Sequence, residues 1–168
     1  MLYIATGGTI DKRPHFLPGG RFDNDSKDFG DTYLPEVLGK GRVVGPYTVK
    51  QLFMIDSLDM TPEHRARISA AAEEAEERRI VVTHGTDTMP ETARFLKAQK
   101  QLGGKTIVLT GAMLPYSVGE ESDAMFNIGT ATAFAEVLPP GVYVAMNGQY
   151  FDSDAVVKDH AAGIFRSE

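Results

Sequence analysis

The sequence predicts an α/β layered fold, in which short buried strands alternate with helices. Brief, almost continuously apolar runs are typical of parallel strands covered on both faces, and they lie at residues 2–5, 51–55, 80–83, 106–110 and 142–146. Helical patterns separate several of these runs. A chain of 168 residues, 42% of them hydrophobic, is long and apolar enough to bury a full core. We therefore expect a single domain over residues 1–168.

Helices are predicted in three of the connecting segments. The first covers about residues 62–79, because apolar side chains recur there at spacings of three and four, Thr61 suits the N-cap and Pro62 suits the first helical position. The second begins after Thr88, since Thr88 and Glu91 have the spacing of a capping box. The third covers about residues 124–137.

The segment at about residues 11–31 is rich in Gly, Pro, Asp and Lys and has no hydrophobic period. This composition favours a long loop, and long loops in compact domains often cover a binding site. We expect this segment to be a mobile loop.

Charge and composition exclude several classes of function. A formal net charge of −6 disfavours binding to nucleic acid or to an anionic membrane surface. The absence of cysteine excludes disulfides, thiolate metal sites and cysteine nucleophiles. The first residues lack the pattern of a signal peptide, and no apolar run approaches the roughly 20 residues that span a bilayer. We expect a soluble cytoplasmic protein with no membrane partner.

The first chemical motif is Ala-Thr-Gly-Gly-Thr-Ile at residues 5–10, where a strand meets two glycines. Paired glycines allow a tight turn and a close approach of the backbone to a ligand, which would leave Thr9 at the carboxyl edge of the sheet. An ordinary strand-to-loop turn explains the same residues equally well.

The second motif is Val-Thr-His-Gly-Thr-Asp-Thr at residues 82–88, between a strand and a helix start. Thr86 and Asp87 would lie just before a helix N-terminus, where unpaired N–H groups favour a carboxylate or a developing oxyanion. The alternative is that Asp87 and Thr88 only cap the helix. For His84, a structural hydrogen bond is the favoured role.

Lys158 follows the last predicted strand. A lysine is most often a solvated surface charge, but one held away from water beside a hydroxyl can serve as a base, with Asp87 moderating its charge. The histidines lack the spacing of metal ligands, and Gly-Gly-Lys-Thr at residues 103–106 is no phosphate loop, because Gln99 stands where its first glycine would be.

The two threonine motifs together resemble the bacterial-type L-asparaginases. Asp-Ser-Leu-Asp-Met-Thr-Pro at residues 56–62 looks like the substrate-carboxylate segment of that family, and Gly-Ala-Met at 111–113, Val-Ala-Met-Asn at 144–147 and Lys158 continue the match. The resemblance covers nearly the whole chain but only the N-terminal domain of the family. It implies a three-layer α/β/α sandwich around a mixed, mainly parallel sheet, like the asparaginase N-terminal domain.

The resemblance also implies catalytic roles for four residues. Thr9 would attack the side-chain amide of L-asparagine and form an acyl-enzyme, while Thr86, Asp87 and Lys158 would act on the leaving group or on the water that ends the cycle. Accounts of the family differ over which threonine attacks in which half-reaction, so Thr86 stays open as the nucleophile. The resemblance implies no metal and no organic cofactor.

Substrate binding follows from the same resemblance. Ser57, in the segment with Asp56, would hold the α-carboxylate, and Asp87 would hold the α-ammonium. The Ala112 carbonyl would accept a hydrogen bond from the departing amide nitrogen, and Gly85 belongs to the motif that lines the site. Fixing both α-groups favours asparagine over glutamine, whose extra methylene displaces the reacting carbon.

The sequence departs from the family pattern at three places. The family's loop carries a tyrosine, whereas the nearest aromatic residues here are Phe16 and Phe22; Tyr33 or Tyr116 are candidates to substitute for it. Leu58 stands where many relatives have a polar residue. The sequence matches only the N-terminal domain of the family, so we expect either this domain's loop or a partner in a homo-oligomer (a dimer or tetramer) to close the site.

Three functions therefore compete. Hydrolysis of L-asparagine to L-aspartate and ammonia is favoured by the persistence of both threonines, Asp87 and Lys158. The alternative is a catalytically inactive amino-acid-binding or regulatory module, favoured by the missing tyrosine and domain. The third is the ammonia-generating component of a transfer-RNA amidotransferase, which the acidic balance of the chain disfavours.

Overall fold

The computed structural model describes residues 1–23 and 27–168, with the backbone alone at residues 21 and 22. Its strands, in chain order, are β1 Leu2–Gly7, β2 Phe16–Leu17, β3 Arg21–Phe22, β4 Thr48–Ile55, β5 Arg79–Thr83, β6 Thr106–Thr110, β7 Gly141–Met146, β8 Gln149–Asp152, β9 Val156–Asp159 and β10 Ile164–Ser167. Its α-helices are α1 Leu34–Lys40, α2 Pro62–Glu74, α3 Met89–Lys97 and α4 Ala124–Val137. Short 3₁₀ turns cover Thr9–Asp11, Ser57–Asp59, Lys100–Leu102 and Tyr116–Glu121.

Six strands form the central sheet in the order β4-β1-β5-β6-β7-β8. The first five are mutually parallel, and β8 pairs antiparallel with β7. Two small antiparallel hairpins, β2-β3 and β9-β10, lie outside this sheet. The sheet is therefore mixed and mainly parallel, which confirms the prediction.

Helices cover the sheet on both faces and divide its core into two clusters. On one face, α2 and α3 pack Ile68 and Leu96 against Ile4 of β1. On the other, α1 and α4 pack Leu38 and Ile128 together with alternate strand residues. The three-layer α/β/α sandwich is thus confirmed. None of the described helices is both long and apolar enough to cross a membrane.

The apolar strand runs follow from this burial on both faces. All six residues of β1 are buried, because this strand has a neighbour on each side and a helix layer above and below. The predicted strands 2–5, 51–55, 80–83, 106–110 and 142–146 all lie within described strands, which confirms them. Strand β4 begins earlier than predicted, at Thr48.

The helix predictions need one correction and one addition. Helix α2 has its Thr61 N-cap, but it ends at Glu74 rather than Arg79, since Ala75 is extended and Arg79 already belongs to β5. The Lys105 ammonium holds the connection by donating to the Ala75 carbonyl oxygen at 2.6 Å. Helix α1 has only seven residues, and its short pattern was not predicted.

The capping box predicted at the start of α3 is wrong. The helix does begin after Thr88, but the Thr88 hydroxyl donates to the Ser57 carbonyl oxygen at 2.8 Å and caps nothing. The Glu91 carboxylate accepts from the Arg65 guanidinium at 3.0 Å. Tertiary partners therefore take both side chains away from the helix terminus.

The segment at 11–31 is more structured than its composition indicates. It contains the β2-β3 hairpin, and Lys12 bridges to Phe29. The Arg13 N–H donates to the Asp28 carbonyl oxygen at 2.9 Å, and its guanidinium donates to the Asp31 carbonyl oxygen at 2.6 Å. These bonds tie the two ends of the segment together. Its mobility stays a prediction.

Candidate active site

A pocket of about 280 Å³ opens where the carboxyl ends of neighbouring parallel strands meet. The loops after β1, β4, β5 and β6 supply its walls, as is usual for open α/β sheets. Side chains from these loops and from β9 line it: Thr9, Lys12, Asp56, Leu58, Thr86, Asp87, Met113, Leu114, Pro115 and Lys158. The structure thus brings both threonine motifs and Lys158 to one place.

Glycines allow three of these loops to touch. Gly7 and Gly8 both have positive φ, at 91° and 83°, which the tight turn after β1 requires. A Cβ on Gly8 would collide with the backbone of Gly85, and a Cβ on Gly85 would lie 2.6 Å from Ser57 Oγ. The backbones of the two threonine motifs and of residue 57 therefore pack directly on one another.

Thr9 begins the 3₁₀ turn that follows these glycines. The Lys12 N–H closes the turn by donating to the Thr9 carbonyl oxygen at 3.2 Å. The side chains of Ile10 and Asp11 are buried, whereas those of Thr9 and Lys12 line the pocket. The turn therefore directs Ile10 and Asp11 into the core and Thr9 and Lys12 toward the pocket.

On another wall of the pocket, Lys158 contacts the second threonine motif, at residues 82–88. Its ammonium donates to Thr86 Oγ1 at 2.7 Å and to Asp87 Oδ1 at 2.5 Å. The Lys158 side chain is 9% exposed and that of Asp87 is 32% exposed, so Lys158 is not a solvated surface charge. His160 Nδ1 lies 3.7 Å from Asp87 Oδ1. Threonine, lysine and aspartate thus form one contiguous hydrogen-bonded group.

A chain of amide side chains helps to place Lys158. In the β9-β10 hairpin, Lys158 lies opposite Phe165. The Phe165 N–H donates to Asn147 Oδ1 at 2.9 Å, and the Asn147 N–H donates to Asn127 Oδ1 at 3.3 Å. The buried Asn127 also donates to the Gly111 carbonyl oxygen at 3.0 Å. The same residues therefore hold the lysine hairpin and the loop after β6.

Lys12 and Asp56 form a second charged pair in the pocket, with Lys12 Nζ 3.2 Å from Asp56 Oδ2. Burial disfavours the Asp56 carboxylate, but the Leu58 N–H and the Lys12 ammonium outweigh this effect and lower its pKa. Sequence reasoning missed Lys12. Its spacing of three from Thr9, within a 3₁₀ turn, is the signal that could have found it.

Two predicted binding residues lie behind the pocket wall. Ser57 is only 1% exposed and Ala112 is fully buried, and neither side chain lines the cavity. Next to Ala112, the Met113 and Leu114 N–H groups donate to Asp123 Oδ1 at 2.9 and 3.0 Å. This carboxylate therefore shapes the loop that carries the Ala112 carbonyl.

No described tyrosine takes the place of the family's loop tyrosine at the pocket wall. The Tyr33 and Tyr116 rings pack together 5.1 Å apart, and the Tyr116 hydroxyl donates to Glu36 Oε1 at 3.2 Å. Neither ring lines the pocket. Phe16 is exposed, and the side chain of Phe22 lies outside the described part.

His84 is structural, as expected. It is fully buried, and burial lowers the pKa of its imidazole to about 4. The Gly85 carbonyl oxygen lies 2.7 Å from Nδ1 and can only accept, so Nδ1 carries the proton. Nε2 then accepts from the Thr92 hydroxyl at 2.9 Å. Because its folded pKa is depressed, His84 stabilises the fold above pH 6.5 and loses that contribution as pH falls through about 4.

Asp11 is a buried carboxylate in the 3₁₀ turn that begins at Thr9. Its Oδ1 accepts from the Thr32 hydroxyl at 3.0 Å and from the Tyr33 N–H at 2.9 Å, whereas Oδ2 has no partner among the described residues. Burial raises the pKa of this carboxyl to about 6, although the Tyr33 and Thr32 hydrogen bonds oppose the change. Asp11 thus joins the start of the 11–31 segment to its end.

Asp11→Asn should make stability less dependent on pH. A raised pKa means that the contribution of Asp11 to stability is present below its ordinary 3.8 and is lost as pH rises through about 6. Asparagine keeps the Oδ1 acceptor and carries no charge. The free energy of unfolding of the variant, minus that of the natural protein, should therefore be about 2 kcal/mol larger at pH 7 than at pH 4. Urea unfolding at both values measures this, and an equal difference at both would contradict it.

No three His, Asp or Glu side chains in residues 1–23 and 27–168 are grouped so as to hold a metal ion.

Comparison with known proteins identifies the family to which the chain belongs. The family model described as "Asparaginase, N-terminal" matches residues 1–166. An L-asparaginase from Thermococcus kodakarensis is 37% identical over 117 residues, which are 68% of this chain and 35% of that protein. A glutamyl-tRNA(Gln) amidotransferase component from Pyrococcus abyssi is 33% identical over 153 residues, or 89% of this chain and 34% of that protein.

Solved structures agree with this match. The thermostable L-asparaginase of T. kodakarensis superposes with a TM-score of 0.81 at 32% identity, covering 99% of this chain and 50% of that one. L-asparaginase I of Vibrio cholerae gives 0.80 at 27% identity, with the same coverage of 99% and 50%. The chain therefore spans about a third of the curated relatives and half of the solved chains. With the family model matching almost its whole length, the chain belongs to the asparaginase family and corresponds to its N-terminal domain.

Proposed function

We propose that this protein hydrolyses the side-chain amide of L-asparagine to L-aspartate and ammonia, through an acyl-enzyme on Thr9. The observation that carries the proposal is the hydrogen-bonded group of Thr86, Lys158 and Asp87 in the same pocket as Thr9. A hydroxyl is a weak nucleophile at neutral pH and needs a neighbouring group to take its proton. The pocket provides two hydroxyls and Lys158, which can accept a proton once its ammonium has lost one.

The reaction has two steps. First, the Thr9 hydroxyl oxygen bonds to the amide carbon, the carbon–nitrogen bond breaks, and the nitrogen leaves as ammonia with the hydroxyl proton. Water then adds to the ester carbon, the bond to the Thr9 oxygen breaks, and Thr9 regains a proton as aspartate is released. Thr86 and Lys158 are hydrogen-bonded 2.7 Å apart, so together they can relay protons in both steps.

The charges of the pocket suit a free amino acid. Two lysines, Lys12 and Lys158, present positive groups to a zwitterionic substrate. Two aspartates, Asp56 and Asp87, present negative groups to it. Asp87 is partly exposed and can bind an α-ammonium while it pairs with Lys158. With both α-groups fixed, the length of the side chain decides whether the amide carbon reaches Thr9.

Ammonia release from L-asparagine, L-glutamine and D-asparagine tests the proposal. The kcat/KM for L-glutamine should be about 10- to 100-fold below that for L-asparagine, because an extra methylene misplaces the carbon. D-asparagine should be slower still, since its α-groups are exchanged. Release from none of the three would overturn the proposal. Calorimetry that shows asparagine binding without product would instead support a catalytically inactive amino-acid-binding or regulatory module.

The amidotransferase relatives favour a second candidate. The glutamyl-tRNA(Gln) amidotransferase components of several archaea match most of this chain, at 33% identity in P. abyssi. This chain would then supply ammonia to a partner protein. Its net charge of −6 disfavours direct contact with transfer RNA. A preference for glutamine over asparagine, together with a stable complex with such a partner, would favour this second function.

Assembly and location are part of the proposal. The family resemblance favours a homo-oligomer, a dimer or tetramer, in which a neighbouring copy of the chain helps to close the pocket. A solved relative is titled a probable cytoplasmic L-asparaginase from Campylobacter jejuni, and we propose the same compartment here. Light scattering at working concentration tests the assembly, and a strict monomer would contradict it.

A further inference from the structure

Lys12 projects into the pocket beside the nucleophile. In a 3₁₀ turn, side chains three residues apart eclipse one another, so the turn that begins at Thr9 sends Lys12 in the same direction. Both side chains line the cavity. The position of Lys12 is therefore set by the backbone that sets Thr9.

The Lys12–Asp56 pair is poorly exposed. The two side chains are 9% and 16% exposed, and Lys12 Nζ lies 3.2 Å from Asp56 Oδ2. Removing two charges from water costs more than a single ion pair usually returns, so such a pair is weak as a device for stability. Because the Lys12–Asp56 pair lies on the wall of a pocket, ligand binding explains it better than stability does.

Lys158, the other cation of the pocket, contacts the second threonine motif. Lys158 donates to Thr86 and Asp87, which places its charge at the proton-relay end of the pocket. A zwitterionic substrate brings a carboxylate, and a hydrogen bond from a lysine ammonium holds such a group more strongly than a neutral donor does. No pocket-lining side chain other than Lys12 and Lys158 carries a positive charge in the described part.

We propose that Lys12 adds a cation to the subsite that Ser57 is expected to form for the α-carboxylate of the substrate, with Asp56 holding the Lys12 ammonium in position; this inference rests on the proposed function. The carboxylate would lie against the Lys12 ammonium, while the α-ammonium lies near Asp87. The two charged pairs would therefore fix the two ends of the amino acid. Lys12 is thereby a specificity-determining residue for free amino acids.

Two analogues of asparagine separate its charged groups. Succinamic acid keeps the carboxylate and lacks the amine, whereas 3-aminopropanamide keeps the amine and lacks the carboxylate. In Lys12→Met, KM for L-asparagine and for succinamic acid should rise about 30-fold, the effect of losing a charge-assisted hydrogen bond. KM for 3-aminopropanamide should stay within about twofold, and kcat for L-asparagine should change less than KM.

A second variant removes an ambiguity in the first. Lys12→Met leaves Asp56 without its cation, and this carboxylate could itself repel the substrate. The double variant Lys12→Met/Asp56→Asn is neutral at both positions. If its KM for L-asparagine and succinamic acid is still about 30-fold higher, the loss of binding is due to Lys12. Lys50→Met is the matched control, because Lys50 lies on β4 outside the pocket and forms an exposed pair with Glu74 of α2. It should leave all three KM values unchanged.

Equal KM increases for all three compounds in the double variant would overturn the inference, and so would no increase for any. Calorimetric titration with L-asparagine and with 3-aminopropanamide keeps this test separate from the proposed function. If the natural protein binds asparagine but releases no ammonia, the proposed hydrolysis fails, and selective loss of asparagine binding in the double variant still supports Lys12. If the variant binds asparagine as tightly as the natural protein, Lys12 is excluded whether or not hydrolysis occurs.

Discussion

Thr9→Val should lower kcat for L-asparagine by about a thousandfold or more, since valine keeps the shape of threonine and removes the nucleophilic oxygen. The Thr9 side chain lines the pocket and makes no hydrogen bond within the described part of the chain, so its loss should leave the fold intact. Thermal unfolding should therefore match that of the natural protein. Ammonia release under single-turnover and steady-state conditions measures the effect.

Thr130→Val is the matched control for this change. The Thr130 hydroxyl donates to the Phe126 carbonyl oxygen within α4, and Thr130 does not line the pocket, so its replacement should leave kcat unchanged. Thr86→Val tests the alternative nucleophile. If Thr9→Val keeps a rate close to normal while Thr86→Val abolishes acylation, the roles of the two threonines are exchanged. Retention of activity in both would contradict the threonine mechanism altogether.

Lys158→Met should lower kcat by about a hundred- to ten-thousandfold, the usual contribution of a positioned proton-transfer group. Methionine retains the apolar stem but removes the hydrogen bonds to Thr86 and Asp87. Asp87 loses its cation, but it is 32% exposed and can turn to water, so the loss of stability should be moderate. Rates of ammonia release and the thermal midpoint separate the two effects.

The control for Lys158 is Lys97→Met. Lys97 pairs with Asp152 and Asp154 on the surface, and exposed pairs contribute little to stability. We expect its kcat to match that of the natural protein. A Lys158→Met variant that kept its rate within a factor of about three would show that the amine is not needed, because general acid–base groups contribute far more than this.

Strand content could be predicted because it follows from local pattern. Residues 107–109 are apolar and all of β6 is buried, since a central parallel strand has no face in contact with water. The boundaries of α2 could not be predicted in the same way. Its C-terminal end is set by Lys105, which lies far along the chain and binds the Ala75 carbonyl. The Thr88–Glu91 spacing misled for the same reason, because Ser57 and Arg65 compete for those side chains.

The residues of the candidate site were likewise predictable only in part. Motif and resemblance pointed to Thr9, Thr86, Asp87 and Lys158, and the structure places all four at one pocket. Ser57 and Ala112 lie behind its wall, and burial of this kind depends on how loops stack. Lys12 was missed because its spacing of three from Thr9 has a meaning only once the backbone there is known to form a 3₁₀ turn.

The sequence by itself determined the α/β layering, the two glycine–threonine turns and the chemistry available at the ends of the strands. These are local properties: apolar runs select buried strands, and only glycine fits a positive φ next to a close backbone contact. The tertiary structure alone decided which polar groups meet. Lys158, in the β9-β10 hairpin, reaches Thr86 across 72 positions of sequence. Lys12, after β1, meets Asp56, after β4, because parallel pairing brings the carboxyl ends of these two strands to one edge of the sheet.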